Sequence, residues 1–102
     1  MGVNVYLEIE GGKQIVTLLD PHGIICRLLP MGDEHFALLR YVDPYGDTVF
    51  NRLQMEQILK ELEQLKKSRG RSAEEMEYIR QLEDMARQCQ SEPHLYLKFY
   101  GD

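Results

Sequence analysis

Hydrophobic and polar residues alternate one by one over positions 3–10, which is typical of a half-buried β-strand. Ile15 to Leu19 form a second apolar run, and Gly11-Gly12 lie between the two segments. Two glycines between strands predict a tight hairpin, because glycine readily adopts positive φ. Strands one and two are therefore expected to be antiparallel neighbours. One side of the first strand carries Val3, Val5, Leu7 and Ile9, and the other carries Asn4, Tyr6, Glu8 and Glu10.

A four-residue motif occurs twice, as Asp20-Pro21-His22-Gly23 and as Asp43-Pro44-Tyr45-Gly46. Asp, Pro and Gly at these positions favour a type I β-turn, because Asp can hydrogen-bond the backbone two residues on and Pro presets φ. Each copy follows an apolar run, so we expect a strand at 15–19 and another at 36–42, each ending at its turn. The apolar segment 24–29, closed by Pro30, is too short to distinguish a strand from a helical turn.

From Asn51 the apolar residues recur every three to four positions, which indicates an amphipathic helix. Asn51 with Gln54 predicts a capping box at its start, and Gly70 predicts its end. The expected apolar stripe is Leu53, Met55, Ile58, Leu59, Leu62 and Leu65.

A second amphipathic helix is expected to open at Ser72, which forms a capping box with Glu75, and to end before Pro93. The short linker between the two helices predicts an antiparallel helical hairpin. Residues 94–100 then alternate again and predict a last strand, with Leu95, Leu97 and Phe99 on one side.

The expected fold is therefore α+β, a single domain over residues 1–102 with the order β-β-(short element)-β-α-α-β. A mainly antiparallel sheet of about four strands would be covered on one face by the helical hairpin. The position of the last strand in the sheet is left open by the sequence, and a place beside the first strand is one possibility.

Charge and composition narrow the classes of function. Net charge is −5, and residues 1–51 hold seven acidic and three basic residues. This balance argues against nucleic-acid binding, which needs clustered Lys and Arg, and it suits a basic protein partner or simple solubility. No apolar run is long enough to cross a membrane and no leader is recognisable, so we expect a cytoplasmic protein. Cys26 and Cys89 are expected to be buried free thiols.

The sequence contains no motif for metal, phosphate or nucleophilic chemistry. None of the three histidines has a His or Cys partner at the spacing of zinc ligands. Asp43, Asp47 and Asn51 lack the spacing of a calcium loop, so turn and cap roles are favoured for them. We therefore predict no cofactor, no metal and no catalytic residue.

The pattern predicts a protein-binding surface instead of a catalytic or metal site. If the apolar sides of the strands face the core, then the opposite side carries tyrosines among charged residues, and Tyr45 lies exposed on the second turn. Tyrosine is enriched at protein-binding hot spots, although half-exposed tyrosines are also common in ordinary strands. The candidate binding residues are Tyr6, Glu8, Glu10, Tyr45, Tyr96, Lys98 and Tyr100.

Two segments, 43–55 and 93–102, together about a quarter of the chain, resemble small uncharacterised bacterial proteins. In size, acidity and α+β plan the chain is similar to immunity proteins that neutralise secreted toxins. The resemblance implies a non-enzymatic protein-binding module of the toxin-immunity type, with a protein partner. The alternative is a small enzyme or ligand-binding domain with a site around the Asp43–Asn51 loop. A third possibility is a homo-oligomer in which the helical hairpin pairs with that of a second copy.

Overall fold

The two N-terminal strands form the predicted antiparallel hairpin in the computed structural model, which describes residues 2–101. The elements are β1 (Val3–Ile9), β2 (Gln14–Leu18), α1 (Ile24–Leu28), β3 (Asp47–Asn51), α2 (Met55–Lys66), α3 (Ala73–Ser91) and β4 (Leu95–Gly101). Two 3-10 turns, Leu39–Tyr41 and Arg52–Gln54, precede β3 and α2. The α+β plan and the order of strands and helices are thus as expected, and the short element 24–29 is helical.

All four strands pair antiparallel in the order β2-β1-β4-β3. The last strand therefore lies in the middle of the sheet beside β1, with Val5 opposite Phe99 and Leu7 opposite Leu97. This central position gives β4 a hydrogen-bonded neighbour on both sides. The inward side chains of the sheet join one hydrophobic core with the buried residues of all three helices.

The predicted strand at 36–42 is wrong, because the chain there forms turns and the 3-10 turn Leu39–Tyr41. Phe36, Leu39 and Val42 are the buried residues, and their spacing of three fits helical turns rather than a strand. The third strand instead follows the second turn, at Asp47–Asn51. The second Asp-Pro-x-Gly turn therefore joins an irregular segment to a strand, not a strand to a helix.

Both Asp-Pro-x-Gly motifs are turns, with the amide of Gly23 donating to the carbonyl of Asp20 and that of Gly46 to Asp43. Gly2 precedes β1 and packs against the carbonyl of Asp20, so closely that a Cβ would lie 2.1 Å from it. Gly101 ends β4 and packs equally closely on Pro44. Because Val3 and Gly101 are register partners, the two turns lie at the same end of the sheet.

The helical hairpin has the predicted capping boxes at Asn51 and Ser72, although Asn51 caps the 3-10 turn before α2. Leu53, assigned to the apolar stripe, lies in that turn and is 79% exposed. Between the helices, the Lys66 ammonium lies 3.0 Å from the buried carboxylate of Glu83. The hydrogen bond to Glu83 raises the pKa of Lys66, so this ion pair holds α2 against α3.

Candidate functional site

The outward side of the sheet, here called the open face, carries the side chains that alternate with the core residues. It is built by Asn4, Tyr6 and Glu8 of β1, by Tyr96, Lys98 and Tyr100 of β4, by Asp47, Val49 and Asn51 of β3, and by Gln14 and Thr17 of β2. Strand pairing places these residues side by side, because directly opposite residues share a face. Most of them are partly or fully exposed.

Glu8 was expected to be exposed and is not: the residue is only 6% exposed on this otherwise accessible face. Its carboxylate accepts a hydrogen bond of 2.8 Å from the Tyr100 hydroxyl and a longer one of 3.4 Å from the Gln14 amide. Lys98 lies 4.0 Å from the other carboxylate oxygen. Neighbouring side chains therefore cover Glu8, which a single-strand alternation pattern does not foresee.

The aromatic rings next to Glu8 are held in defined positions. Tyr6 and Tyr100 meet edge to face with their ring centroids 4.9 Å apart. The Lys98 ammonium lies 4.5 Å from the centroid of the Tyr100 ring, which is cation–π range. A hydrogen bond with Tyr100, and then the charge of the Glu8 carboxylate, raise the pKa of Lys98 above its usual value. The four residues form a connected group, the Glu8 network: Tyr6, Glu8, Lys98 and Tyr100.

A shallow groove of about 370 Å³ opens beside this network, towards the β1–β2 hairpin. Its walls include Glu8, Glu10, Val49, Tyr96 and Lys98. Val49 is 50% exposed and supplies an apolar wall. At the rim, Glu10 pairs with His94, with 2.9 Å between the carboxylate and Nδ1.

Six of the seven predicted binding residues thus lie on the open face or its rim. The exception is Tyr45, which is exposed on the turn beside Gly101, at the far end of β4 from the groove. Sequence reasoning missed Val49 because it placed the third strand at 36–42. The alternation of Thr48 and Phe50 inward with Val49 outward was the available signal, but it spans only five residues.

In the Asp43–Asn51 loop, the alternative site, the side chains of Asp43, Thr48 and Asn51 accept hydrogen bonds from backbone amides in or next to the loop. The Asp43 carboxylate accepts from the amide of Tyr45, and the hydroxyl of Thr48 accepts from the amide of Asp43. The Asn51 side chain accepts from the amides of Leu53 and Gln54. This geometry favours the turn-and-cap interpretation, and a catalytic or ligand-binding role for the loop stays a prediction.

Within residues 2–101, no group of three or more His, Cys, Asp or Glu side chains is placed to hold a metal ion. Over the same residues, no helix is both long enough and apolar enough to cross a membrane. Cys26 and Cys89 are free thiols, and Cys89 is buried whereas Cys26 is partly exposed. Comparisons with protein families, with curated proteins and with solved structures found no match.

Proposed function

We propose that this chain is a non-enzymatic protein-binding module that recognises a basic partner protein through the open face. The observation that carries the proposal is the Glu8 network: a buried carboxylate holds Tyr100 in place on an accessible sheet face. A groove with a half-exposed tyrosine, Tyr96, and an exposed valine, Val49, adjoins it.

The network favours binding because it lowers the entropy cost of association. An interface side chain that becomes ordered on binding costs about 0.5–1.5 kcal/mol. Tyr6 and Tyr100 are already held by ring packing, and Tyr100 also by its hydroxyl. Tyrosines held in this way present rigid, amphipathic surface, which is the usual character of binding hot spots.

The charges of the open face favour a basic partner. Lys98 is compensated by Glu8, so its positive charge is balanced within the network. Glu10 at the rim and Asp47 on β3 are both exposed carboxylates. A partner with lysine or arginine opposite them would gain electrostatic attraction and faster association.

A bacterial toxin-immunity protein is the most specific form of this proposal. Small size, acidity and an α+β plan support it. A basic toxin would suit the exposed carboxylates of Glu10 and Asp47. In this form the partner is toxic alone and inactive in the complex.

The proposal can be tested by affinity capture from a lysate of the native host, followed by purification of the captured protein. We expect Tyr96→Ala and Glu10→Lys each to weaken its binding at least about tenfold, as for hot-spot residues. Both residues lie on the surface, so folding should be unaffected. Glu8→Lys is a poor test, because it would place a second cation beside Lys98 in a buried position.

Matched controls are Tyr41→Ala and Glu56→Lys, which remove an exposed tyrosine and reverse an exposed charge away from the open face. Both controls should bind as the unmodified chain does. Undiminished binding by Tyr96→Ala and Glu10→Lys would exclude the open face as the interface. A captured partner that is harmless, or that stays active in the complex, would exclude the immunity form alone.

A further inference from the structure

The sheet ends in two edges, β2 and β3, and these edges differ in their protection against pairing with another strand. Edge strands are usually protected by charges, by proline or by β-bulges, and β2 has only an irregularity of the last kind. The strand β3 begins with the charged residue Asp47. Residues 14–19, Gln-Ile-Val-Thr-Leu-Leu, contain neither a charge nor a proline. Among residues 2–101, no strand pairs with the outer side of β2.

Apolar side chains are exposed along this uncharged edge. Ile15 is 41% exposed, and Leu19, directly after β2, is 55% exposed. In the register with β1, Val16 lies opposite Leu7 and Gln14 lies opposite Glu8. Ile15 is therefore an extra residue of β2 at the point where the register shifts. By alternation, Leu19 shares the outward side of Thr17, which is opposite Tyr6. Two exposed apolar residues thus flank Thr17 at equal distances along the chain.

A groove of about 190 Å³ lies on the other side of the same edge, between β2 and α3. Val16 and Leu18 of β2 and Met85 of α3 supply its apolar walls, and the polar side includes Asp84, which is paired with Arg80 and Arg87. The edge therefore offers unpaired backbone groups with apolar surface on both sides, which is the arrangement used for strand addition.

We propose that β2 is a homodimer edge, which pairs antiparallel with β2 of a second copy around a two-fold axis at Thr17. This register places Ile15 of each copy opposite Leu19 of the other and Val16 opposite Leu18. Both exposed apolar side chains are then covered by a single self-complementary contact, as a two-fold interface requires.

Charge favours a second copy at this edge rather than elsewhere on the molecule. The chain carries a net charge of −5, so two copies repel wherever their acidic surfaces meet. Residues 14–19 form an uncharged stretch through which two copies can approach. The outward face of α2, by contrast, carries charged pairs such as Glu56–Lys60.

Sedimentation equilibrium at protein concentrations of about 1–500 µM tests the proposal. The short contact predicts a weak dimer, with Kd on the order of 10–100 µM. The expected mass therefore rises with concentration from 12.0 kDa towards twice that value. Thr17→Lys places two like charges opposite each other at the axis and should weaken the dimer at least about tenfold. Leu53→Lys, which adds the same charge at an exposed site away from β2, should dimerise normally.

Cysteine cross-linking tests the register independently of the charge variant. Residues directly opposite in an antiparallel pair lie about 4.5–5.5 Å apart at Cα, which suits a disulfide. Thr17→Cys should therefore form a covalent dimer with oxidised glutathione as the oxidant, much faster than Leu53→Cys or the unmodified chain.

A monomer mass up to 500 µM would overturn the proposal. Unchanged dimerisation of Thr17→Lys, or equal loss in Leu53→Lys, would overturn the assignment to β2. Should Thr17→Lys not fold, the cross-linking comparison decides: equal rates for Thr17→Cys and Leu53→Cys would overturn it. The open face and the β2 edge are tested by different variants, so either proposal can fail without the other.

Discussion

Two carboxylates, Glu61 on α2 and Glu8 on the open face, are both buried, but they are satisfied in different ways. Glu61 is fully buried and accepts hydrogen bonds from the backbone amides of Leu38 and Leu39, at 2.8 Å for the latter. The Gln57 amide also donates to it, at 2.7 Å. Glu8, by contrast, is covered by the side chains of its neighbours in the sheet.

The different hydrogen-bond partners give the two carboxylates different structural roles. Backbone partners make Glu61 a cap for the 3-10 turn Leu39–Tyr41, so its carboxylate determines the path of the chain. Side-chain partners make Glu8 an anchor for Tyr100 and Lys98, so its carboxylate determines the shape of a surface. On the helix side of the molecule a buried carboxylate therefore stabilises the path of the backbone. On the open face a buried carboxylate stabilises the arrangement of surface side chains.

The largest effect is expected on the helix side, for Glu61→Ala. The buried amide of Leu39 and the partly buried amide of Leu38 would lose their acceptor, and an unsatisfied buried amide costs about 1–3 kcal/mol. We expect the free energy of unfolding in urea to fall by about 3 kcal/mol. Glu56→Ala, an exposed acid on the same helix, should change it by less than about 0.5 kcal/mol. If Glu61→Ala lost no more stability than Glu56→Ala, the 3-10 turn Leu39–Tyr41 would not depend on the Glu61 carboxylate.

An intermediate effect, dependent on pH, is expected at Cys89, which lies inside the core behind β4. Burial raises the pKa of the Cys89 thiol from 9.0 to about 11, so the folded state favours the protonated form. The unfolded chain loses this proton first, and stability should therefore fall as pH rises from 9 to 11. One thiol contributes about 1–2 kcal/mol to this loss.

Unfolding measured between pH 8 and pH 11 should show a steeper decline for the unmodified chain than for Cys89→Ala. Cys26→Ala, at a partly exposed thiol, should keep the steep decline. Parallel curves for the unmodified chain and Cys89→Ala would show that this thiol does not titrate as the structure indicates.

The smallest effect is expected on the open face, for Tyr100→Phe. This change removes the hydroxyl that donates to Glu8 but keeps the ring against Tyr6. Since the hydrogen bond is partly buried and reaches a carboxylate, we expect a loss of about 1 kcal/mol. A double-mutant cycle with Glu8→Gln should recover a coupling energy of similar size.

Tyr96→Phe is the matched control, because within residues 2–101 the Tyr96 hydroxyl has no hydrogen-bond partner. Its removal should leave the free energy of unfolding unchanged within about 0.3 kcal/mol. Equal losses for Tyr96→Phe and Tyr100→Phe would mean that Glu8 does not hold Tyr100.

Most of the fold could be predicted because its signals are local. The alternation of residues 3–9, the glycine hairpin and the capping boxes each depend on residues close together in the chain. The third strand could not be placed, because segment 36–42 is as apolar as a strand and its path depends on Glu61, more than twenty residues away. The candidate site was found in outline from the same alternation. Val49 was missed because the third strand was placed at 36–42. The burial of Glu8 was missed because it follows from its neighbours across the sheet, which the sequence does not name.

The local sequence pattern specified which segments become strands and helices at both ends of the chain, and which sides of β1 and β4 face the core. It did so because these choices follow from periodicity, capping and turn chemistry within a few residues. Long-range packing alone places β4 between β1 and β3, and this position brings Tyr6, Glu8, Lys98 and Tyr100 together. Tyr100 and Glu8 are 92 residues apart in the chain, and their contact arises from strand order, which local chemistry does not encode.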